Sequence, residues 1–220
     1  MNNKTKGAIA GIAGIALLAG GTTFALWNDD VNVDGGIITA GNLDVATVGT
    51  TQWVDTSADR TDKDHNIDLT EFKIVPGDTI QGTFGIAAAL QGDNLVADLG
   101  LSLAGNAEGG LLADAKGVTV KYSLVNAATG VAVPGAKDIE LGTPAKVAFA
   151  AADNTGNVAP SAVLPTLPAA LPTAANLNVV VTATFDEDTD EQLRTKATAD
   201  LQDLGVTLEQ TRTATTGGGF

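Results

Sequence analysis

Every odd-numbered residue from Leu95 to Leu103 is apolar, while the positions between them include Asp98, Gly100 and Ser102. Period-two alternation gathers the apolar set on one side of an extended chain, whereas on a helix the same residues would scatter around the circumference. The stretch is predicted as a core strand. The pattern returns in Val118, Val120, Tyr122 and Leu124, and again in Val179, Val181, Ala183 and Phe185 within Asn176–Phe185. Ile139 with Leu141 and Val147 with Phe149 predict shorter strands. A chain patterned this way buries its apolar residues by laying sheet on sheet.

Turn chemistry separates these segments. Leu69–Val75 places Phe72 and Ile74 opposite Glu71 and Lys73, and Thr79–Ala88 turns Ile80, Phe84 and Ile86 inward. Between them stand Pro76, Gly77 and Asp78. Proline presets φ near −65° and glycine accepts positive φ, as a type II turn requires, so the two segments are predicted to form a hairpin. Gly105–Gly110 is expected to break the chain, Gly130 to lie in a turn, and Pro134 to stop the segment Val131–Val133. Pro160, Pro165, Pro168 and Pro172 remove ladder donors and predict a surface loop. Leu193, Ala197, Leu201 and Leu204, behind an Asp190 cap, have helical spacing; a short helix over 190–204 competes there with a loop. Val206–Arg212 then returns to strand. The expected class is all-β, an antiparallel, jelly-roll-like β-sandwich with that one short helix.

Composition removes whole function classes. The chain has no cysteine, which rules out disulfides, thiolate metal sites and a cysteine nucleophile. Its single histidine, His65, cannot build the two-histidine zinc site of a His-Glu-x-x-His peptidase, and no Gly-x-Ser-x-Gly is present. The chain therefore reads as a non-enzyme without cofactor. The formal charge of −14 argues against nucleic acid as a partner, because phosphate binding relies on clustered Lys and Arg. Asp62, Asp64, Asn66 and Asp68 recur at every second position and are the calcium candidates the sequence offers. An EF-hand loop counted from Asp62 needs glycine sixth and glutamate twelfth, where this chain has Ile67 and Lys73. A solvated loop is the simpler reading, with no metal.

The amino end has another character. Lys4 and Lys6 precede an uncharged run, Gly7–Gly21, carrying Ile9, Ile12, Ile15, Leu17 and Leu18. This is the pattern of a secretory signal peptide, shorter than the roughly 20 apolar residues a membrane span requires. Trp27–Asp34 then alternates, with Trp27, Val31 and Val33 on the mostly apolar side and Asn28, Asp30, Asn32 and Asp34 on the other. Gly35 and Gly36 read as a turn or bulge. A second strand follows over Ile37–Val48, and Gln52–Val54 continues it; Trp53 is expected as a core or sheet-edge aromatic.

The order of these features, Gly20-Gly21-Thr22-Thr23-Phe24-Ala25, Leu26-Trp27-Asn28-Asp29, and Ile38-Thr39-Ala40-Gly41-Asn42-Leu43-Asp44-Val45, resembles a family of exported proteins. Their alternate signal peptide is processed by the SipW class of signal peptidase, and TasA and camelysin typify them. Val75–Asp78 and Val206–Arg212 add two further matches. The resemblance implies a signal peptide over 1–25 cut between Ala25 and Leu26, with Thr23 two positions before the cut. It also implies a donor strand within 26–36, whose pattern offers Trp27, Val31 and Val33; the residues themselves mark a β domain over 37–213 and a tail over 214–220. It further implies a SipW-class peptidase as processing partner, membrane contact only before cleavage, a secreted or cell-surface location, and head-to-tail self-assembly or joining with a related matrix protein into a fibre. Two other readings stand beside it. One is a secreted module for a sugar or other surface ligand, for which the chain has few aromatics; the other is an exported monomer without assembly.

Overall fold

In the computed structural model of this chain, alternation becomes burial. Along Leu177–Phe185 the odd residues are all buried, while Asn178, Val180 and Thr182 are half-buried and Thr184 is exposed. Each aliphatic side chain buried in this way contributes about 1.5–3 kcal/mol relative to exposure. The structure describes residues 39–103, 105–108, 112, 116–154, 164–189, 198–201 and 204–211.

The strands are β1 (Asn42–Asp55), β2 (His65–Ile67), β3 (Thr79–Gln91), β4 (Val96–Ser102), β5 (Gly105–Glu108), β6 (Val118–Asn126), β7 (Ile139–Glu140), β8 (Ala145–Ala151), β9 (Thr166–Leu167), β10 (Leu177–Phe185), β11 (Thr198–Leu201) and β12 (Gly205–Gln210). A six-stranded sheet runs β2-β1-β3-β10-β6-β7 and a four-stranded sheet runs β12-β4-β8-β9. β5 pairs with β11 separately. From β3 onward the chain passes repeatedly from one of the two larger sheets to the other, giving an all-β, antiparallel-dominated sandwich. The one parallel pair among the described residues is β8 with β9.

One core joins the two larger sheets. Ile86, Leu90, Leu124, Val179 and Val181 come from the first, and Leu99, Leu101, Phe149 and Leu167 from the second. Tyr122 on β6 spans the layers: its hydroxyl donates to the carbonyl of Leu101 on β4 and to that of Thr143. Burial pushes its phenol pKa up, against a smaller opposing effect of a backbone hydrogen bond at Ala145.

Several expectations need correction. The predicted first half of the Pro76-Gly77 hairpin, Leu69–Val75, is not a strand. Both edges of β3 are occupied, by β1 and by β10, so no ladder position remains for it. Asp68 instead draws the segment into a turn: its carbonyl accepts from Glu71 and Phe72, and its Oδ1 accepts from Thr70 N and Oγ1. Phe72 and Ile74 still pack against the core, as their parity required. The expected helix over 190–204 is likewise overturned where the structure describes it, because Thr198–Leu201 is strand β11, paired residue for residue with Gly105–Glu108. That partner is the stretch expected to be only a break. The ladder supplies every second backbone group with a partner, and it outweighs the helical spacing of Leu201 and Leu204. Asp190, Leu193 and Ala197 lie outside the described residues. The proline loop contains the short strand β9, because Pro165 and Pro168 still have carbonyls to offer, which accept from Ala150 N and Leu90 N.

Candidate functional site

The two segments expected over Ile37–Val48 and Gln52–Val54 are joined, within the described residues, in one strand, β1, which runs Asn42–Asp55; residues 39–41 lie before it. Its register against β3 shifts between Val48 and Gln52, where Gly49 takes φ 79° and the strand bulges. Gly49 suits this kink because a left-handed backbone costs glycine nothing. Before the bulge, Leu43, Val45 and Thr47 lie opposite Leu90, Ala88 and Ile86, so all three face the interior side of the sheet. After it, Trp53 and Asp55 lie opposite Gly82 and Ile80 on that same side.

The far edge of β1 is paired only at Trp53–Asp55, by β2. Among the described residues nothing pairs with it from Asn42 to Gln52. In the other sheet β12 pairs with β4 alone among the described residues. These two edge strands approach each other to within 8 Å. β12 turns Val206 and Leu208 inward, opposite Leu101 and Leu99, and both remain half-buried. On β1, Leu43 is half-buried and Val45 is 36% exposed although it faces inward. Among the described residues, one flank of the sandwich therefore presents two neighbouring sheet edges with no further strand paired to them, a seam along which Leu43, Val45, Val206 and Leu208 are the inward-facing apolar residues. Edges of this kind offer unpaired N–H and C=O groups to another strand.

The lower end of β1 is held rigidly. Asp55 and Ser57 are 2% and 0% exposed. Asp55 Oδ1 accepts from Ser57 N at 2.9 Å and from Ser57 Oγ at 2.5 Å, and Ser57 Oγ accepts from Thr79 N at 3.0 Å. Burial raises the carboxyl pKa of Asp55, but the two bonds from Ser57 and the charges of His65 and Arg60 outweigh it and hold that pKa below the ordinary value. Arg60 Nε stands 3.7 Å from Asp55 Oδ2.

Of the residues the sequence singled out, Thr23, Ala25, Leu26, Trp27, Val31 and Val33 lie outside the described residues. Pro76, Gly77 and Asp78 form the expected turn. Gly77 has φ 96°, Asp78 N donates to Val75 O at 3.0 Å, and Asp78 Oδ2 accepts from Val75 N at 2.8 Å. Gly77 N and Asp78 O bond to the backbone of Phe185, fastening the turn to the end of β10. The calcium candidates are turned to other partners: Asp62 takes both nitrogens of an Arg60 fork at 2.9 and 3.0 Å, and Asp68 holds Thr70. Those bonds lower both carboxyl pKa values, against opposing desolvation. Asp64 is at φ 67° in the tight turn before β2, and Asn66 sits in β2 itself. His65 Nδ1 lies 2.7 Å from Asp62 O. Among the described residues, no three or more His, Asp or Glu side chains converge as a metal site would need.

Sequence reasoning identified the strands of the seam but not the seam. A groove of about 400 Å³ also opens between the Asn126–Pro134 turn and the proline loop. Its one aromatic is Phe149, 1% exposed at the floor, so it has no ring on which a sugar would stack. No protein-family model matches the chain, and no curated protein matches it in sequence.

Proposed function

We propose that the chain is a secreted structural subunit that assembles into an extracellular fibre by strand donation, with the seam between β1 and β12 as the acceptor. The observation that carries this reading is that, among the described residues, two sheet edges with no further strand lie side by side along the half-buried Leu43, Val206 and Leu208 and the exposed Val45. A strand laid there would complete main-chain hydrogen bonds along Asn42–Gln52 and cover Leu43, Val45, Val206 and Leu208. Trp27–Asp34 has the matching character, with one mostly apolar side and one polar side. Its register would be set by Trp27, Val31 and Val33, because a slip of one residue would turn them to solvent.

In this reading cleavage between Ala25 and Leu26 by a peptidase of the SipW class is the switch. Before it, the strand is tied to an apolar signal segment; afterwards it is a free terminus. Head-to-tail contacts of this type do not close and so grow into filaments. The resemblance to the TasA and camelysin group supports the same role. Electron microscopy of the processed protein tests it: filaments are expected from the chain beginning at Leu26, and none from the chain lacking residues 26–34. Filaments of equal yield from both would overturn strand donation.

A further inference from the structure

β2 covers one end of the β1 edge with very little apolar burial to hold it there. It has three residues, pairs with Trp53–Asp55 alone, and among the described residues has no strand on its other side. His65 and Asn66 are exposed, and only Ile67, opposite Trp53, is half-buried. Every residue of the connection from Ala58 to Asp64 is exposed as well. So short a strand, paired on one side, is marginal in water without some other fastening.

The fastening is a chain of polar contacts that starts at one buried group. The Asp55 carboxylate, 2% exposed, accepts from Ser57 through Oδ1 and faces Arg60 Nε at 3.7 Å through Oδ2. Arg60 in turn donates to both oxygens of Asp62, and the carbonyl of Asp62 lies 2.7 Å from His65 Nδ1. The Asp55 carbonyl accepts from Asp64 N at 2.6 Å. Two cationic side chains bear on the carboxylate, Arg60 from the connection and His65 from β2. From β3 comes the uncharged Thr79, whose N–H goes to Ser57 Oγ, and Asp78 just before it acts on Arg60.

We infer that β2 with its connection is an acid-released guard on the β1 edge: the ionised Asp55 carboxylate keeps it closed, and neutralising that carboxylate lets it leave. A neutral Asp55 no longer attracts Arg60, and Ser57 is left with an uncharged acceptor, a weaker partner than the charged one. The sign follows from linkage. Asp55 titrates below the ordinary carboxylate range while the guard is closed, so closure is fully supported above that range and loses this support as pH falls through the lowered value. Asp62, held low by Arg60, adds to the same trend. The opening is local, because β10 contributes no group to these contacts. With β2 released, the described edge of β1 is unpaired from Asn42 to Asp55 instead of ending at Gln52. The use of that longer edge in assembly rests on the reading of the seam as an acceptor; the release itself does not.

Hydrogen exchange of the purified, unassembled chain, read by NMR, tests it. Protection of the Asp64 amide, which is bonded to Asp55, is compared with that of Val179–Val181 in β10, a strand paired on both sides. Between about pH 6 and about pH 2.5 the ratio is expected to fall at least threefold, with β10 still protected. In Asp55→Asn it is expected to be low already at about pH 6 and to stay there. A second variant keeps the carboxylate. Val54 and Asn66 are cross-strand partners and the chain has no cysteine, so Val54→Cys with Asn66→Cys can tie β2 to β1. Oxidised, this variant should hold the ratio constant down to about pH 2.5; reduced, it should reproduce the fall. A constant ratio in the unaltered chain, an equal fall in the oxidised variant, or loss of β10 protection together with that of Asp64 would overturn the guard. Exchange is read without filaments, so a failure here and a failure of strand donation are distinguishable.

Discussion

Gly82 lies under the indole of Trp53, and a Cβ on Gly82 would stand 2.7 Å from Trp53 Cε2 and Cζ2. The two residues are cross-strand partners, and the ring lies in the space where a side chain would be, 6.4 Å from Phe84 in an edge-to-face contact. Gly82→Ala is expected to force the ring away and cost about 1–3 kcal/mol, as overpacking does. For a domain of this size that lowers Tm by about 2–4 °C per kcal/mol. Thermal unfolding followed by far-ultraviolet circular dichroism checks it, and an unchanged Tm would mean that Trp53 is not held there.

Asp55 makes the chain sensitive to acid in a defined direction. Its folded pKa lies below the ordinary value of 3.8, so its stabilising contribution is complete above that value and is lost as pH falls through the folded pKa. Asp62 and Asp68 also titrate low, but they are exposed, so the comparison must be made with Asp55→Asn. That variant is expected to be less stable at pH 7 by about 1–3 kcal/mol, because Ser57 loses its charged acceptor. The gap between the two proteins should narrow below pH 4 in urea titrations. A constant gap from pH 7 to pH 2 would contradict the assignment.

Tyr122 is the chain's one tyrosine, so phenolate absorbance at 295 nm reports it without interference. Burial holds it protonated above the ordinary pKa of 10.0 in the folded protein, and unfolding in urea should bring the titration back to that value. Tyr122→Phe removes the donor shared by Leu101 O and Thr143 O and is expected to cost about 1–3 kcal/mol. Identical titration curves in folded and unfolded protein would show that the ring does not span the layers.

Val45 tests the acceptor without opening the core. It is 36% exposed, so Val45→Lys should shift stability by no more than about 1 kcal/mol. A lysine in the seam would leave an ammonium to be desolvated by any inserted strand, so filament growth should fall at least tenfold. Filaments growing at the original rate would remove the seam from the mechanism.

Much of this arrangement is written in the alternation. The burial of β6 and of β10 follows residue by residue from parity, as does that of the odd residues from Leu95 to Leu103, although Val96 and Gly100 between them are buried as well; the skipped position in Ile80, Phe84, Ile86 already marks Gly82 as different. What parity cannot give is which strand lies beside which. Phe72 and Ile74 show the inward pattern of a strand, yet their segment is excluded from the sheet because β1 and β10 fill both sides of β3. Thr198–Leu201 carries helical spacing and becomes a strand because Gly105–Glu108 supplies a partner. The seam is invisible for the same reason. Leu43, Val206 and Leu208 read as ordinary strand residues, and only the topology leaves β1 and β12 as neighbouring edges among the described residues.

The central claim, that the terminal strand of one subunit enters the β1–β12 seam of another, can be measured by cross-linking, because the chain contains no cysteine of its own. Subunits carrying Val31→Cys are mixed with tagged subunits carrying Val45→Cys, assembled, and oxidised. The account predicts a disulfide joining one tagged and one untagged subunit, formed in filaments and absent from the same mixture before assembly. A chain carrying both cysteines that closes the bond only within itself, at a yield independent of protein concentration, would show the strand folding back onto its own domain and would contradict the account.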